Sequence, residues 1–257
     1  MSLEITKLAA GYPGRRVLQG VSLPELNGGS LTALLGPNGS GKSTLLKALA
    51  GLLPHQGRIK LDGQDLHGLP PAQRLARLAY LPQSLPRGVH LRVVEAVLAA
   101  LRAGGHSRAD DLSRVEAVLQ RLGCEALALQ HLDVLSGGQR QLVGLAQALV
   151  RQPRVLLLDE PLSALDLRHQ LRTMALLSAL AAEREMLVLI VLHDLNVALR
   201  HGSQAVLLQA GRVAAAGTPA EAITPATLAQ VYGVQARVEA CSQGHLQVLV
   251  DHELTGM

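Results

Sequence analysis

Ser30–Gly51 reads SLTALLGPNGSGKSTLLKALAG, and its three parts decide the fold. "LTALL" is continuously apolar but for one threonine, as in a strand of a parallel sheet buried on both faces. "LLKALAG" reads as a helix closed by glycine. Between them lies "GPNGSGKST", Gly36–Thr44. It fits G-x-x-x-x-G-K-[ST] in the strand-to-helix setting that a phosphate-binding loop requires. In that reading glycines let backbone N–H groups face phosphate oxygens, and the helix N-terminus adds its dipole. Lys42 reaches the terminal phosphates and Ser43 holds Mg²⁺. Gly36, Pro37, Asn38, Gly39, Ser40, Gly41, Lys42, Ser43 and Thr44 are thus all candidate phosphate contacts. An ordinary glycine turn is the competing reading, and the flanking strand and helix argue against it.

Outward from this loop, short apolar strands bounded by Gly, Pro or Asn fill the first third, "LEITKL", "RVLQGVSL" and "SLTALLG". From Val89 to Gln152 the texture becomes helical, with Leu112, Val115, Val118, Leu119 and Leu122 spaced for one helix face. After Pro153, buried strands return as "RVLLLD", "MLVLIVL" and "QAVLLQ", separated by helices that start near Leu167 and Asp194. The expected fold is a three-layer α/β core joined by right-handed crossovers and interrupted by a helical insertion. We expect a core over about residues 1–88 and 153–218, a helical subdomain over about 89–152 and a short extension over about 219–257. The extension opens with "TPAEAI" and "TPATL", two helix starts with Thr as N-cap and Pro at the first helical position, followed by short strands around Val238 and Leu249.

A phosphate loop needs acidic partners, and "VLLLDE", Val155–Glu160, supplies two at the end of a buried strand. Asp159 is expected to hold the magnesium shell. Glu160 is expected to polarise an attacking water, a role worth typically 10²- to 10⁴-fold in rate; the alternative is an acidic strand end that caps the next helix. His193 follows "MLVLIVL" at the end of a parallel strand, where such sheets place ligands, although a lone His before an Asp is more often a loop residue. Gln83, after "AYLP", is a surface amide unless its loop reaches the site, where it would contact magnesium and water. Tyr12 in "GYPGRR" either stacks on adenine or lies on the surface.

"VLSGGQRQ", Val134–Gln141, is a second glycine-rich helix start. Ser136 and Gln139 form the S-x-x-Q pattern of a capping box, which accounts for the helix but not for two consecutive glycines. Ser136, Gly137 and Gly138 at a helix N-terminus also make an anion site. One nucleotide cannot fill both loops of one chain. A head-to-tail pair of chains resolves this, each Ser136 loop closing over phosphates held by the other chain's Lys42.

Composition excludes several other classes. The 257 residues allow one domain with a large core, burying roughly three quarters of the unfolded surface. The longest apolar run, Met186–Leu192, is far short of the ~18 residues of a membrane span. "MSLEITKLAAGY" has no secretory pattern, so a cytoplasmic protein is expected. The two cysteines, Cys124 and Cys241, lack metal-ligand spacing and read as reduced thiols. A net charge of +4 arises from scattered basic residues, and with no Phe, no Trp and three Tyr the chain lacks the stacking platforms of nucleic-acid binders. No nucleic-acid partner is expected.

Taken in order, these motifs resemble the nucleotide-binding subunit of an ABC transporter over nearly the whole chain. Tyr12 matches the adenine-stacking residue, Gly36–Thr44 the Walker A loop and Gln83 the Q-loop. Leu135, Ser136, Gly137, Gly138 and Gln139 match the ABC signature, Val155–Glu160 Walker B, "SALD" with Asp166 the D-loop at the dimer seam, and His193 the H-loop. The resemblance implies a P-loop NTPase core with an antiparallel β subdomain and an inserted helical subdomain. It implies an ATPase that uses ATP and Mg²⁺ as a homodimer on the inner face of the membrane, and a separate membrane permease as partner. A periplasmic or surface substrate-binding protein would deliver the cargo. "LDLRHQ", "LHDLNVALRHGSQAVLLQAGRVAAAGTP" and "TPATLAQVYGV" are similar to importers of iron chelates, haem and cobalamin. The helical insertion and "SLPRGVHLRVVEAV", Ser84–Val97, are the expected permease contact. Leu142 and Gln147 depart from the family, standing where members often carry Arg. The alternatives are a soluble ABC ATPase of cofactor or iron–sulfur assembly and, less consistent with Glu160 and His193, a non-hydrolysing regulatory cassette.

Overall fold

A computed structural model describes residues 1–84, 88, 90–103 and 109–254. The chain begins with β1 (Ser2–Tyr12), β2 (Arg15–Val21), β3 (Leu26–Asn27) and β4 (Leu31–Leu35), and then turns into α1 (Lys42–Leu49). β5 (His55–Leu61), β6 (Gln64–Asp65), α2 (Pro71–Arg77) and β7 (Leu78–Leu81) follow. Three helices come next, α3 (Val93–Arg102), α4 (Asp111–Leu122) and α5 (Gly137–Leu149), before β8 (Val155–Leu158), α6 (Leu167–Arg184) and β9 (Leu187–Val191). The chain continues with α7 (Leu195–His201), β10 (Gln204–Gln209), β11 (Arg212–Gly217), α8 (Pro219–Ala222), α9 (Pro225–Tyr232), β12 (Val234–Ala240) and β13 (Leu246–Glu253).

The central sheet has the order β11-β10-β4-β9-β8-β7. All of its neighbours are parallel except the β10–β11 hairpin at one edge. β4, β8 and β9 are buried at every residue, as their apolar runs require. Alternation along these strands divides the interior into two cores. Ala33, Leu156 and Ile190 face one core with the helices α3–α6. Leu34, Leu157 and Leu189 face the other, with α1 and the inner face of the antiparallel sheet β2-β1-β5-β6. The architecture is the three-layer α/β fold of P-loop ATPases.

The extension is pinned as its caps predict. Thr218 and Thr224 each receive the N3 backbone N–H, from Glu221 and Thr227. Its strands pair as the β12–β13 hairpin. One expectation fails in α4. Val115, Leu119 and Leu122 are buried, but Leu112 is 59% exposed. The inward contact at that end is ionic instead: Asp111, 1% exposed, accepts from Arg102 Nε of α3 at 2.8 Å. Leu142 lies in the core, and Gln147 ties α5 to α3 through Nε2 to the Ala96 carbonyl at 3.2 Å. Among the described residues no helix is long and apolar enough to cross a membrane.

Leu177 of α6 is fully buried against the central sheet. Leu177→Ala should cost about 2–5 kcal/mol in transfer and cavity terms, read as a lower urea midpoint at unchanged slope.

Candidate functional site

β4 ends at Gly36, where the backbone must turn sharply under the neighbouring strand β10. Gly36 has φ of 139°, and a Cβ there would sit 2.2 Å from the Leu208 carbonyl oxygen. Only glycine fits. The turn delivers the chain to α1, whose first residue is Lys42 and whose N-cap, Gly41, supplies no side-chain cap. Its first N–H groups therefore point outward without a side-chain acceptor, as an anion site requires. Lys42 is 5% exposed and donates from Nζ to the Gly36 carbonyl at 2.7 Å and the Pro37 carbonyl at 3.0 Å. Burial pushes its pKa down, while Glu160 and Asp159 pull it back up.

The acids at the end of β8 face this loop. Asp159 is 2% exposed; Oδ1 accepts from Ser43 Oγ at 2.9 Å and Oδ2 from the Tyr80 hydroxyl at 3.2 Å. Burial raises its pKa, and the two hydrogen bonds oppose that rise. Glu160 has φ of 52°, in the left-handed region that a non-glycine residue adopts only under constraint. That conformation aims its carboxylate at two neighbours: Gln83 Nε2 donates to Oε2 at 2.6 Å, and His193 Nε2 lies 2.8 Å from Oε1. Gln83, Glu160 and His193 follow β7, β8 and β9, so adjacent parallel strands bring an amide, a carboxylate and an imidazole together at their C-terminal ends.

A cleft of about 480 Å³ opens here. Tyr12, Asn38, Gly39, Gly41, Lys42, Ser43, Thr44, Gln83, Glu160 and His193 line it, with Arg15 and Val17 from β2. Asp159 lies behind Ser43, and Gly36, Pro37 and Ser40 form the base of the loop.

Sequence reasoning missed four residues at this site. Arg15 and Val17 line the cleft beside Tyr12. Tyr80 holds Asp159, and the Tyr232 hydroxyl accepts from the Gly36 N–H at 2.8 Å. Scarcity was the available signal: the chain has three tyrosines and no other large aromatic side chain. All three lie at this site.

Leu135, Ser136, Gly137, Gly138 and Gln139 are absent from the cleft lining. The capping box forms within the chain, with the Gln139 N–H on Ser136 Oγ at 3.2 Å and the Ser136 N–H on Gln139 Oε1 at 2.9 Å. Gly138 packs so closely that a Cβ would lie 2.7 Å from the Ala164 carbonyl oxygen, which joins this helix start to the segment before Asp166. Asp166 is exposed and caps α6, accepting from the His169 N–H at 2.8 Å. Gly137 meets only the Ala164 methyl at 3.7 Å, so packing does not demand it.

A parallel sheet with an uncapped glycine loop, a lysine, and a Ser–Asp pair beside a held glutamate defines a nucleoside-triphosphatase site. The "ABC transporter" family model matches residues 18–163, and the chain belongs to that family as an ATP-binding ATPase. It is 42% identical over 243 residues to the hemin import ATP-binding protein HmuV of Pseudomonas entomophila (strain L48), covering 92% of this chain and 94% of that one. It is 35% identical to the cobalamin import ATP-binding protein BtuD of Halobacterium salinarum, covering 93% of this chain and 60% of that relative. Among solved structures, an inward-facing transporter assigned to the metal-chelate type superposes with a TM-score of 0.82 at 26% identity, over 99% of this chain and 98% of that one. A dimeric bacterial ABC transporter cassette superposes with a TM-score of 0.78 at 27% identity, over 84% and 98%.

Tyr232→Phe removes the acceptor of the Gly36 N–H and nothing else. It should cost about 1–3 kcal/mol, the usual penalty for a buried group left without a partner. Chemical denaturation measures this, and an unchanged midpoint would show that Tyr232 does not brace the loop.

Proposed function

We propose that this ATPase drives import of an iron chelate (siderophore, citrate or haem) through a separate membrane permease. It would work as a homodimer on the cytoplasmic face, with a periplasmic or surface substrate-binding protein delivering the cargo. The observation that carries the hydrolytic part is the convergence of Gln83 and His193 on the two oxygens of Glu160, at the mouth of the phosphate-loop cleft. The cargo class rests on the hemin-import relatives and the metal-chelate neighbour. Cobalamin is the second candidate, because BtuD is also a relative.

In this reading Tyr12 stacks on adenine and the N–H groups of Gly36–Thr44 hold the phosphates. Lys42, held on the Gly36 and Pro37 carbonyls, exchanges them for the terminal phosphate oxygens. Ser43 and Asp159 present hard oxygens 2.9 Å apart, a donor set that fits Mg²⁺, with Gln83 as a further ligand. When bound there, Mg²⁺ would neutralise negative charge on the phosphates. Glu160 orients the attacking water and accepts its proton, and His193 contacts the γ-phosphate and keeps Glu160 in place.

The signature residues act in trans: Ser136, Gly137 and Gly138 of one chain close over the phosphates held by the other, with Asp166 at the seam. This accounts for Gly137, which packing within the chain leaves unexplained. The dimeric cassette with the same fold supports the pairing.

Coupling needs a docking surface. A cleft of about 760 Å³ beside α2, at the C-terminal ends of α1 and α3, is lined by Leu52, Leu75, Arg74, Arg151 and Tyr80. Leu52 is 62% exposed. We place a permease segment there, because Tyr80 touches the docking cleft on one side and Asp159 on the other. Of the expected contact Ser84–Val97, positions 85–87 and 89 lie outside the described residues.

Glu160→Gln fills the same volume but cannot take a proton. It should keep ATP affinity, reduce turnover by at least a hundredfold and trap an ATP-dependent dimer on gel filtration. Wild-type turnover in this variant would overturn the assignment of the base.

A further inference from the structure

We propose that His90, His131 and Asp133 bind one divalent transition-metal ion, of the class of Zn²⁺, Co²⁺ or Ni²⁺. The ion would brace the segment after Gln83 against the turn before Ser136. None of the three lines the nucleotide cleft, and no motif accounts for them.

The backbone brings them together. The stretch entering α3 pairs with the stretch before the short turn Leu132–Val134. Leu132 N donates to the Leu91 carbonyl at 2.9 Å and Val93 N to the Gln130 carbonyl at 3.0 Å, around an antiparallel bridge between Arg92 and His131. On this small ladder the His90 and His131 rings stack with centroids 4.2 Å apart, and His90 Nδ1 lies 3.0 Å from Asp133 Oδ2. One donor atom from each of the three side chains falls within 4.8 Å of the others.

Two imidazoles and a carboxylate are a borderline donor set. They suit Zn²⁺, Co²⁺ or Ni²⁺, whereas Mg²⁺ and Ca²⁺ prefer oxygen alone. His131 Nδ1 is buried and has no hydrogen-bond partner among the described residues, leaving an imidazole nitrogen that protein contacts do not use. An exposed His–Asp pair alone stabilises little, and it leaves the unpartnered His131 Nδ1 unexplained.

The arrangement is not yet a closed coordination shell. Donors around a tetrahedral ion at 2.0–2.1 Å stand about 3.3 Å apart, and rings only 11° from parallel keep their lone pairs in two nearly parallel planes that do not converge on one point between them. One ring must turn. That ring is His90, whose side chain is 76% exposed, while His131 stays on the ladder. Binding therefore replaces the stack and the His90–Asp133 bond with three bonds to one ion. Because His90 lies on the segment leaving Gln83 and Asp133 lies three residues before Ser136, the ion would cross-link the segment that follows the chain's own nucleotide cleft to the turn before the signature, which in the proposed function serves the partner's ATP.

Co²⁺ titration of the full-length chain in excess Mg²⁺, followed by visible absorption and equilibrium dialysis, tests this site. The wild type should bind one more Co²⁺ than His131→Ala or Asp133→Asn, with d–d bands that Zn²⁺ abolishes, and each substitution should weaken that site at least tenfold. Both variants should bind ATP like the wild type, which separates loss of the metal site from misfolding and from failure of the ATPase reading. Equal Co²⁺ stoichiometry and spectra in wild type and variants, or no bound Co²⁺ in the wild type, would overturn the proposal.

Discussion

The position of β4 between β10 and β9 is the constraint on which the rest of the site depends. Held by parallel ladders on both sides, this strand ends where the Leu208 carbonyl leaves no room for a side chain, so the chain turns at Gly36 and enters α1 through an uncapped glycine loop. The same parallel order carries β7, β8 and β9 to one end of the sheet, which is why Gln83, Glu160 and His193 meet although they are far apart in sequence. A register slip of one residue in β8 would turn Leu156 and Leu158 out of their core and take Asp159 from Ser43.

The polar side of the cleft is a chain of held groups. Tyr80 and Ser43 occupy the two oxygens of Asp159, and Gln83 and His193 occupy those of Glu160. Each acid thus has its orientation set before any ligand arrives, and the positive φ of Glu160 shows that the surrounding contacts overcome a local backbone preference. Tyr80 also lines the second cleft, so a single side chain touches both that cleft and Asp159.

Much of this was legible in the sequence because the decisive patterns are local. The apolar runs that became β4, β8 and β9, the glycine loop between a strand and a helix, and the two Thr-Pro caps each carry their own physical signature within a dozen residues. What escaped notice depends on contacts distant in sequence. Tyr232 meets Gly36 only because the extension folds back over the loop, and Leu112 is exposed because Arg102 and Asp111 supply the contact at that end of α4. The Ser136 stretch shows a different limit. Its capping box and the close approach of Gly138 to Ala164 are satisfied inside one chain and read as a helix start, and Gly137 alone is left without a reason in the chain's own packing.

A mixing experiment tests most directly whether this stretch also serves a partner. Ser136→Arg chains keep their own phosphate loop, and Lys42→Ala chains keep their signature. Together they form one composite site in which an intact loop faces an intact signature. Sedimentation with MgATP should show neither variant pairing alone and the mixture forming a heterodimer. If the mixture pairs no better than the separate variants, Ser136 serves only its own helix, and the two-chain account of the site is wrong.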